Sequence, residues 1–177
     1  MKDHPIRGDA DALPALGHAR RAGIVYRPMT DADLPFLTAL YRSTREAELA
    51  RTPWDAAEKL AFIEMQFRAQ HLHYRAHYPQ ALWLIVMKDG DAIGRLYLDR
   101  QAREHRIIDI ALLPQHRGAG IGGAILRDLM DEAAAAARPV TIHVETMNPA
   151  MTLYRRLGFV TVADKGVYHL LQWPAPD

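Results

Sequence analysis

The chain has 177 residues, 49% of them hydrophobic, which is enough for one globular domain with a substantial core. Its formal net charge of +1 and the lack of a basic run argue against nucleic acid as a partner, and no apolar run approaches the roughly 18 residues that a membrane span needs. The absence of cysteine excludes disulfides, thiolate metal sites and a cysteine nucleophile, and it fits a cytoplasmic protein.

The first part of the chain is predicted to form a strand and two helices. Residues 1–23 show no sustained hydrophobic periodicity, so we interpret them as a poorly ordered leader before a single domain over residues 24–177. Residues 24–27 are typical of a short strand. A capping box at 30–33 predicts the start of one helix, and the Thr-Pro-Trp-Asp sequence at 52–55 predicts the start of a second.

The rest of the chain predicts strands separated by two helices. Two strands joined by a turn at Gly90 form a predicted hairpin, and a last hairpin turns at Gly166. Gly158 is predicted to end a short helix. The predicted strands cover 81–87, 92–98, 107–113, 140–146, 159–163 and 167–173, and the predicted helices run from the glycines after 117 to Ala137 and over 149–157.

The segment 106–137 combines a strand, a glycine-rich turn and a helix. Its strand is almost continuously apolar, as expected of a strand buried on both faces. Four glycines within six residues then open the helix, so several backbone N–H groups have neither an intrahelical partner nor a Cβ atom in front of them. With His116 and Arg117 beside the turn, this pattern predicts a site for a phosphate group.

Three phosphate-binding motifs could explain this turn. A Walker A loop is excluded because no Lys-Ser or Lys-Thr pair follows the last glycine. The sequence of 118–123 matches the dinucleotide fingerprint G-x-G-x-x-G, and Glu145 could serve as its ribose-binding acid. Too little chain follows Glu145, however, to build a second nucleotide-binding half.

The third motif is Gln-His-Arg-Gly-Ala-Gly at 115–120, which resembles the acetyl-CoA loop Q/R-x-x-G-x-G/A of the GCN5-related N-acetyltransferases (GNATs). That family carries a second signature after the next strand, with an Asn, a Leu-Tyr pair and a Gly-Phe pair. This chain has Asn148, then Leu-Tyr at 153–154 and Gly-Phe at 158–159. Two motifs in the same order, separated by one helix and one strand, are much more specific than one.

The resemblance implies an α+β fold with a central, mostly antiparallel, twisted sheet that contains a parallel, splayed strand pair and is flanked by helices. It also implies direct transfer of the acetyl group from acetyl-CoA to a primary amine, which could belong to a small molecule or a peptide. It allows a homodimer. Because the first two helices help to form the acceptor site in this family, His73, Tyr74 and His77 are candidate contacts of the amine substrate.

The family motifs assign roles to Tyr154 and to the cofactor contacts, whereas the candidate bases are charged residues on the strands beside the proposed gap. Tyr154 would donate a proton to the departing thiolate, because an unperturbed phenol stays protonated near neutral pH. Glu145 is our first candidate for the general base and Asp109 the second, although a structural ion pair with an arginine is the alternative for each. Glu104 and His143 also remain candidates. The predicted acetyl-CoA contacts are Leu112, Leu113, Gln115, His116, Arg117, Gly118, Ala119, Gly120, Ile121, Gly122, Gly123 and Asn148, the last of which could instead cap a helix.

Two further functions stay open at this point. A non-catalytic acyl-CoA-binding or sensor module could keep the glycine loop and lack a working base. A small dinucleotide-binding protein is the less well supported alternative. His73 and His77 stand four residues apart on a predicted helix, but the sequence marks no third ligand, so we expect no metal.

Overall fold

The computed structural model describes residues 12–174, which form seven strands and five helices around one sheet. In chain order these are α1 His18–Arg21, β1 Ile24–Pro28, α2 Leu34–Leu49, α3 Ala56–His77, β2 Leu82–Lys88, β3 Asp91–Arg100, β4 His105–Leu112, α4 Ile121–Ala135, β5 Val140–Glu145, α5 Met151–Arg156, β6 Val160–Asp164 and β7 Tyr168–Trp173. None of the helices in this part of the chain has both the length and the apolar character needed to cross a membrane.

The seven strands lie in the order β1-β2-β3-β4-β5-β7-β6. Every neighbouring pair is antiparallel except β4 and β5, which are parallel. Both predicted hairpins are present, with Gly90 and Gly166 at positive φ in their turns. The predicted α+β fold, with a mostly antiparallel sheet and one central parallel pair, is therefore confirmed.

The parallel pair separates soon after it forms. Only three residue pairs join β4 to β5, ending with Ile107 opposite Ile142, although β4 continues to Leu112 and β5 to Glu145. On its other side β4 contains a bulge: Tyr97 pairs with Asp109 and Leu98 with Ile107, which leaves Ile108 without a partner on β3. The result is the predicted splay, a V-shaped gap between the ends of β4 and β5.

Each face of the sheet has its own hydrophobic core. Helices α1, α4 and α5 cover one face, where Ala19, Ile125 and Tyr154 pack with Ile142. Helices α2 and α3 cover the other face, where their apolar residues pack against Ile85 of β2. Because side chains alternate along a strand, the last residues of β4 and β5 contribute to both faces of the gap.

The N-terminal region differs from its prediction. Residues 1–11 of the predicted leader lie outside the described residues, but the segment from Gly17 onwards docks on α4. The carboxylate of Asp128 accepts hydrogen bonds from the amides of Gly17, His18 and Ala19 at 3.2, 2.7 and 2.9 Å, and Ala19 is completely buried. Short-range periodicity could not reveal this helix because it has four residues and its acceptor lies about 110 positions later.

The α3 helix also starts later than its sequence suggests. Residues 52–55 precede the helix, and Asp55 is its N-cap. Asp55 Oδ1 accepts from the amide of Glu58 at 2.9 Å, and Glu58 Oε2 accepts from the amide of Asp55 at 2.8 Å. This reciprocal capping box satisfies two amides at the helix start, so the helix begins at Ala56.

Candidate active site

The glycine turn lies between β4 and α4, at the open end of the gap. Gly118 and Gly120 have φ values of +73° and +83°, in the left-handed region that favours glycine. A Cβ atom built at either position meets no other atom within 4 Å, so the turn faces open space. Hydrogen bonding within the helix resumes at Ala124, whose amide donates to Gly120 O at 3.0 Å. The preceding amides are thus the free N–H groups of a helix start, and they fit an anionic phosphate group.

Arg117 fixes the position of this turn. Its Nε donates to the carbonyl oxygen of Leu112 at 2.8 Å, and its Nη2 donates to Ser43 Oγ of α2 at 3.1 Å. Its positive charge therefore stays beside the glycine turn, where it would favour a phosphate group. Gln115 is exposed and His116 is half-buried in the 3₁₀ turn that precedes the glycines.

The end of β4 is divided between the two faces of the sheet. Leu112 packs in the core under α4, whereas Leu113 packs against the core under α2 and α3. The amide of Leu113 is already used, because it donates to Ile93 O of β3 at 2.8 Å. Since successive amides of a strand point to opposite sides, the N–H of Leu112 points towards the gap. Leu112 is the better of the two for a backbone contact with a bound molecule.

The second motif lies directly beside the first. An added Cβ at Gly122 or Gly123 of α4 would lie 3.8 or 3.6 Å from the methyl carbons of Leu153 on α5. The next residue, Tyr154, is 4% exposed, and its ring packs edge-on against Phe159 with the centroids 5.4 Å apart. The fold thus brings the Leu-Tyr and Gly-Phe pairs of the second motif against the first turn of the glycine helix.

The hydroxyl group of Tyr154 has the properties of a proton donor. Burial raises the pKa of Tyr154 well above its usual value of 10, and the negative charge of Asp109 raises it further. No residue between 12 and 174 forms a hydrogen bond with this hydroxyl group. The phenol therefore stays protonated and keeps its proton available.

Glu145 is the last residue of β5, where the strand has already separated from β4. Its Oε1 lies 3.3 Å from Arg45 Nη2 of α2, and its side chain is 36% exposed. Arg45 also donates to Glu48 at 2.8 Å. Glu145 is thus held towards the α2 side of the gap while solvent can still reach it.

Asp109 lies in the middle of β4, next to the bulge. It forms an ion pair with Arg95 of β3, whose side chain is only 3% exposed, and Arg95 also donates to Gln70 Oε1 of α3 at 2.9 Å. Burial raises the pKa of Tyr74 on α3, and the negative charge of Asp109 raises it further. Asp109 therefore has a structural role as well as a place near the gap.

The arginine partners of both carboxylates were missed in the sequence. Arg95 carried a detectable signal, because it is a charged residue inside an apolar strand and such residues are costly to bury without a partner. Arg45 lies on a helix among several exposed charges and gave no comparable signal.

Asn148 is exposed in the turn before α5. Its Oδ1 accepts from the amide of Ala150 at 2.8 Å, and its backbone carbonyl accepts from Met151 at 3.0 Å. These contacts form a turn ahead of Ala150, the N-cap of α5, so the side-chain oxygen of Asn148 is engaged by a backbone amide.

A polar network lies at the base of the gap. Arg106 of β4 donates to Glu104 Oε1 at 2.7 Å, to Thr141 Oγ1 at 2.7 Å and to His143 Nδ1 at 3.2 Å. Thr141 in turn donates to Glu104 Oε2 at 2.7 Å. Glu104 is thus engaged by two partners and is a poor candidate for a mobile proton acceptor.

His73 and His77, the histidine pair considered as metal ligands in the sequence, have no third ligand beside them among the described residues. His77 Nδ1 lies 2.9 Å from His73 O, and the two rings lie 4.0 Å apart. Within residues 12–174, only His18, Asp128 and Asp131 form a group of three close potential ligands. Both oxygens of Asp128 already accept backbone amides, so this group is explained by the docking of α1.

Comparison with known proteins agrees with this geometry. Residues 79–161 match the family model described as Acetyltransferase (GNAT) domain. A streptothricin acetyltransferase of Streptomyces lavendulae is 36% identical over 81 residues, which cover 44% of this chain and 43% of the relative. A protein of Bacillus subtilis named for ribosomal protein bS18-alanine N-acetyltransferase activity is 26% identical over 103 residues, which cover 57% of this chain and 68% of the relative. The chain thus spans less than half of the first relative.

Solved structures share the fold. The PaiA N-acetyltransferase of Thermoplasma acidophilum in complex with coenzyme A has a TM-score of 0.63 and 18% identity, and the match covers 84% of this chain and 97% of that one. A GNAT family acetyltransferase of Elizabethkingia anophelis with acetyl-CoA bound has a TM-score of 0.52 and 17% identity over 85% of this chain and 97% of that one. The family model thus identifies a GNAT acetyltransferase domain at residues 79–161, and solved GNAT acetyltransferases share the fold of the chain.

Proposed function

We propose that the protein is an N-acetyltransferase that transfers the acetyl group of acetyl-CoA to a primary amine by direct attack in a ternary complex. The observation that carries this proposal is the gap between β4 and β5, which ends beside an open glycine turn. Tyr154 is buried in the core under α4, and Glu145 and Asp109 on the two separating strands pair with Arg45 and Arg95. These groups would supply the reaction with an anion site, a proton donor and two candidate bases.

The open glycine turn fits the diphosphate of acetyl-CoA, which would accept hydrogen bonds from the amides of 118–123 next to Arg117. Leu112 would provide a backbone contact inside the gap. Acetyl-CoA supplies an activated acetyl group as a thioester. The amine nitrogen forms the new bond to the acetyl carbon as the bond from that carbon to sulfur breaks.

Two proton transfers complete the reaction. Glu145 is proposed to take the proton that the amine loses, directly or through one water molecule, because its carboxylate lies at the open end of β5 and solvent reaches it. Tyr154 is proposed to give its proton to the leaving sulfur. Asp109 is the second candidate base, since its pairing with the buried Arg95 gives it a structural role as well.

The two relatives suggest the range of acceptors. One is named for the antibiotic streptothricin and the other for an alanine of a ribosomal protein, so the acceptor class proposed here is a primary amine of a small molecule or a peptide. The proposed chemistry needs no metal, so EDTA treatment should leave turnover unchanged.

The release of free thiol from acetyl-CoA in the presence of a panel of amines tests this proposal. Glu145→Gln removes the basic group and nearly keeps the size, so the rate at pH 7 should fall about 100-fold or more and recover partly at higher pH, where more of the amine is neutral. Asp109→Asn serves as the comparison. If only Asp109→Asn shows this pattern, the assignment of the base is reversed.

A protein that binds acetyl-CoA but releases no thiol with any amine would instead be a binding module. Binding of NAD rather than acetyl-CoA would favour the dinucleotide interpretation of the glycine turn. Calorimetry with both molecules separates these outcomes.

A further inference from the structure

His143 occupies the first position of β5 beyond its pairing with β4. The last paired residues are Ile107 and Ile142, so the next residue of β5 lines the start of the gap. Ile142 and Val144 pack in the core under α4, and alternation places the side chains of His143 and Glu145 on the opposite face. Two residues along a strand correspond to about 7 Å, so both side chains can reach one small molecule on that face.

The polar network fixes which nitrogen of His143 carries the proton. Arg106 Nη1 lies 3.2 Å from His143 Nδ1, and a guanidinium group can only donate hydrogen bonds. In the neutral ring Nδ1 must therefore accept, and the proton resides on Nε2. Burial and the positive charges of Arg106 and Lys165 lower the pKa of His143 against the opposing effect of Glu104, which favours this neutral form.

Among residues 12–174, none accepts a hydrogen bond from the Nε2–H group of His143. Arg106 has no unused nitrogen, because it also donates to Thr141 and Glu104 at 2.7 Å each. In this tautomer the histidine can donate at Nε2 and cannot take a proton there, which distinguishes it from a general base.

We propose that His143 is a specificity-determining hydrogen-bond donor, which recognises the oxygen of a carbonyl group bonded to the amine-bearing carbon. This inference rests on the proposed acetyl transfer. The preferred acceptors would be amines with a neighbouring carbonyl group, such as a peptide N-terminus or an amino-acid amide. Glu145 and Asp109 would attract the amino group, and His143 would select the oxygen.

Two acceptors of similar shape test this role. Alaninamide has the carbonyl oxygen, and 3-methyl-2-butylamine replaces its amide group with an isopropyl group. The kcat/KM for each is measured with the wild-type protein, His143→Leu and His143→Gln, in which the glutamine can donate from Nε2. Comparing the ratio of the two kcat/KM values between proteins cancels the different basicities of the two amines.

We expect His143→Leu to lower the preference for alaninamide about 3- to 10-fold, which corresponds to one neutral hydrogen bond. The kcat/KM for 3-methyl-2-butylamine should change by less than about 2-fold, and His143→Gln should keep most of the preference. These results would support the donor role.

Four outcomes would overturn it. An unchanged ratio in both variants, or a wild-type protein that acetylates alkylamines but not alaninamide, would show that no oxygen is recognised. A comparable loss of kcat in His143→Gln and His143→Leu with both amines would make His143 a general base. If the wild-type protein binds acetyl-CoA but acetylates no amine, the proposed function fails and this inference fails with it.

Discussion

Replacing Gly120 with alanine separates the backbone requirement of the glycine turn from its proposed contact with a phosphate group. Gly120 is the N-cap of α4 and has a φ of +83°. Gly90, in the hairpin turn between β2 and β3, has a φ of +86°. A Cβ atom at either position meets nothing within 4 Å, so the two substitutions introduce the same backbone strain and no clash inside the protein.

The expected magnitudes follow from this match. An L-residue in the left-handed region costs about 1–2 kcal/mol, so Gly120→Ala and Gly90→Ala should lose a similar free energy of unfolding. Only the methyl group at 120 would stand where the phosphate is proposed to bind. Loss of one hydrogen bond to a charged group, worth about 1.5–3 kcal/mol, would weaken acetyl-CoA binding about 10- to 100-fold.

Urea unfolding gives the stability of both variants, and calorimetric titration gives their affinity for acetyl-CoA. The reasoning requires similar losses of stability and a loss of affinity in Gly120→Ala alone. Equal affinities in both variants would remove the glycine turn as the phosphate site. A much larger loss of stability in Gly120→Ala than in Gly90→Ala would show that the two substitutions introduce different backbone strain.

Three further predictions test the site and the fold. Tyr154→Phe should lower kcat about 100-fold with little change in the dissociation constant of acetyl-CoA. Equal kcat values for the two proteins would reduce the tyrosine to a packing residue. Because the pKa of Tyr154 is raised above 10, its ionisation should cause no loss of wild-type activity below about pH 10. Asp128→Asn should lower the free energy of unfolding by about 1–3 kcal/mol by removing an anionic acceptor from the amides of α1, whereas Asp131→Asn, at a side chain that is 74% exposed, should have little effect. Asp33, held by Arg27 and the amide of Thr30, has a pKa lowered from 3.8 to about 2, so it stabilises the fold above pH 4 and loses this effect as the pH falls through 2. Asp33→Asn should therefore cost about 1–2 kcal/mol at pH 7, and urea unfolding should show this difference shrinking between pH 4 and pH 2.

Local patterns in the sequence predicted the elements that surround the gap. The apolar run of β4 and the glycines after it predicted the strand, the turn and the start of α4, because each depends on neighbouring residues. The Leu-Tyr and Gly-Phe pairs predicted a second motif at the site, and the contact of Leu153 with Gly122 and Gly123 shows why the two motifs occur together. Family resemblance contributed the splay, which periodicity does not encode.

Contacts between distant residues could not be predicted in the same way. Asp128 caps a helix about 110 residues earlier, and Glu145 pairs with Arg45 across the gap. Such pairs depend on the tertiary fold, and the sequence alone does not show which of its carboxylates pairs with which of its arginines. The tautomer of His143 likewise depends on Arg106, which no local pattern joins to it.

The short pairing of β4 with β5 has a consequence for the cooperativity of the protein. Strands β1 to β4 and strands β5 to β7 form two nearly separate ladders that share only three residue pairs, so the seam between them is a natural boundary between cooperative folding units. Local opening along this seam would leave the hydrogen bonds on either side intact. A molecule bound in the gap contacts both units, and it would suppress their independent opening by mass action. Substrate binding would then be thermodynamically linked to the local opening of the sheet between β4 and β5.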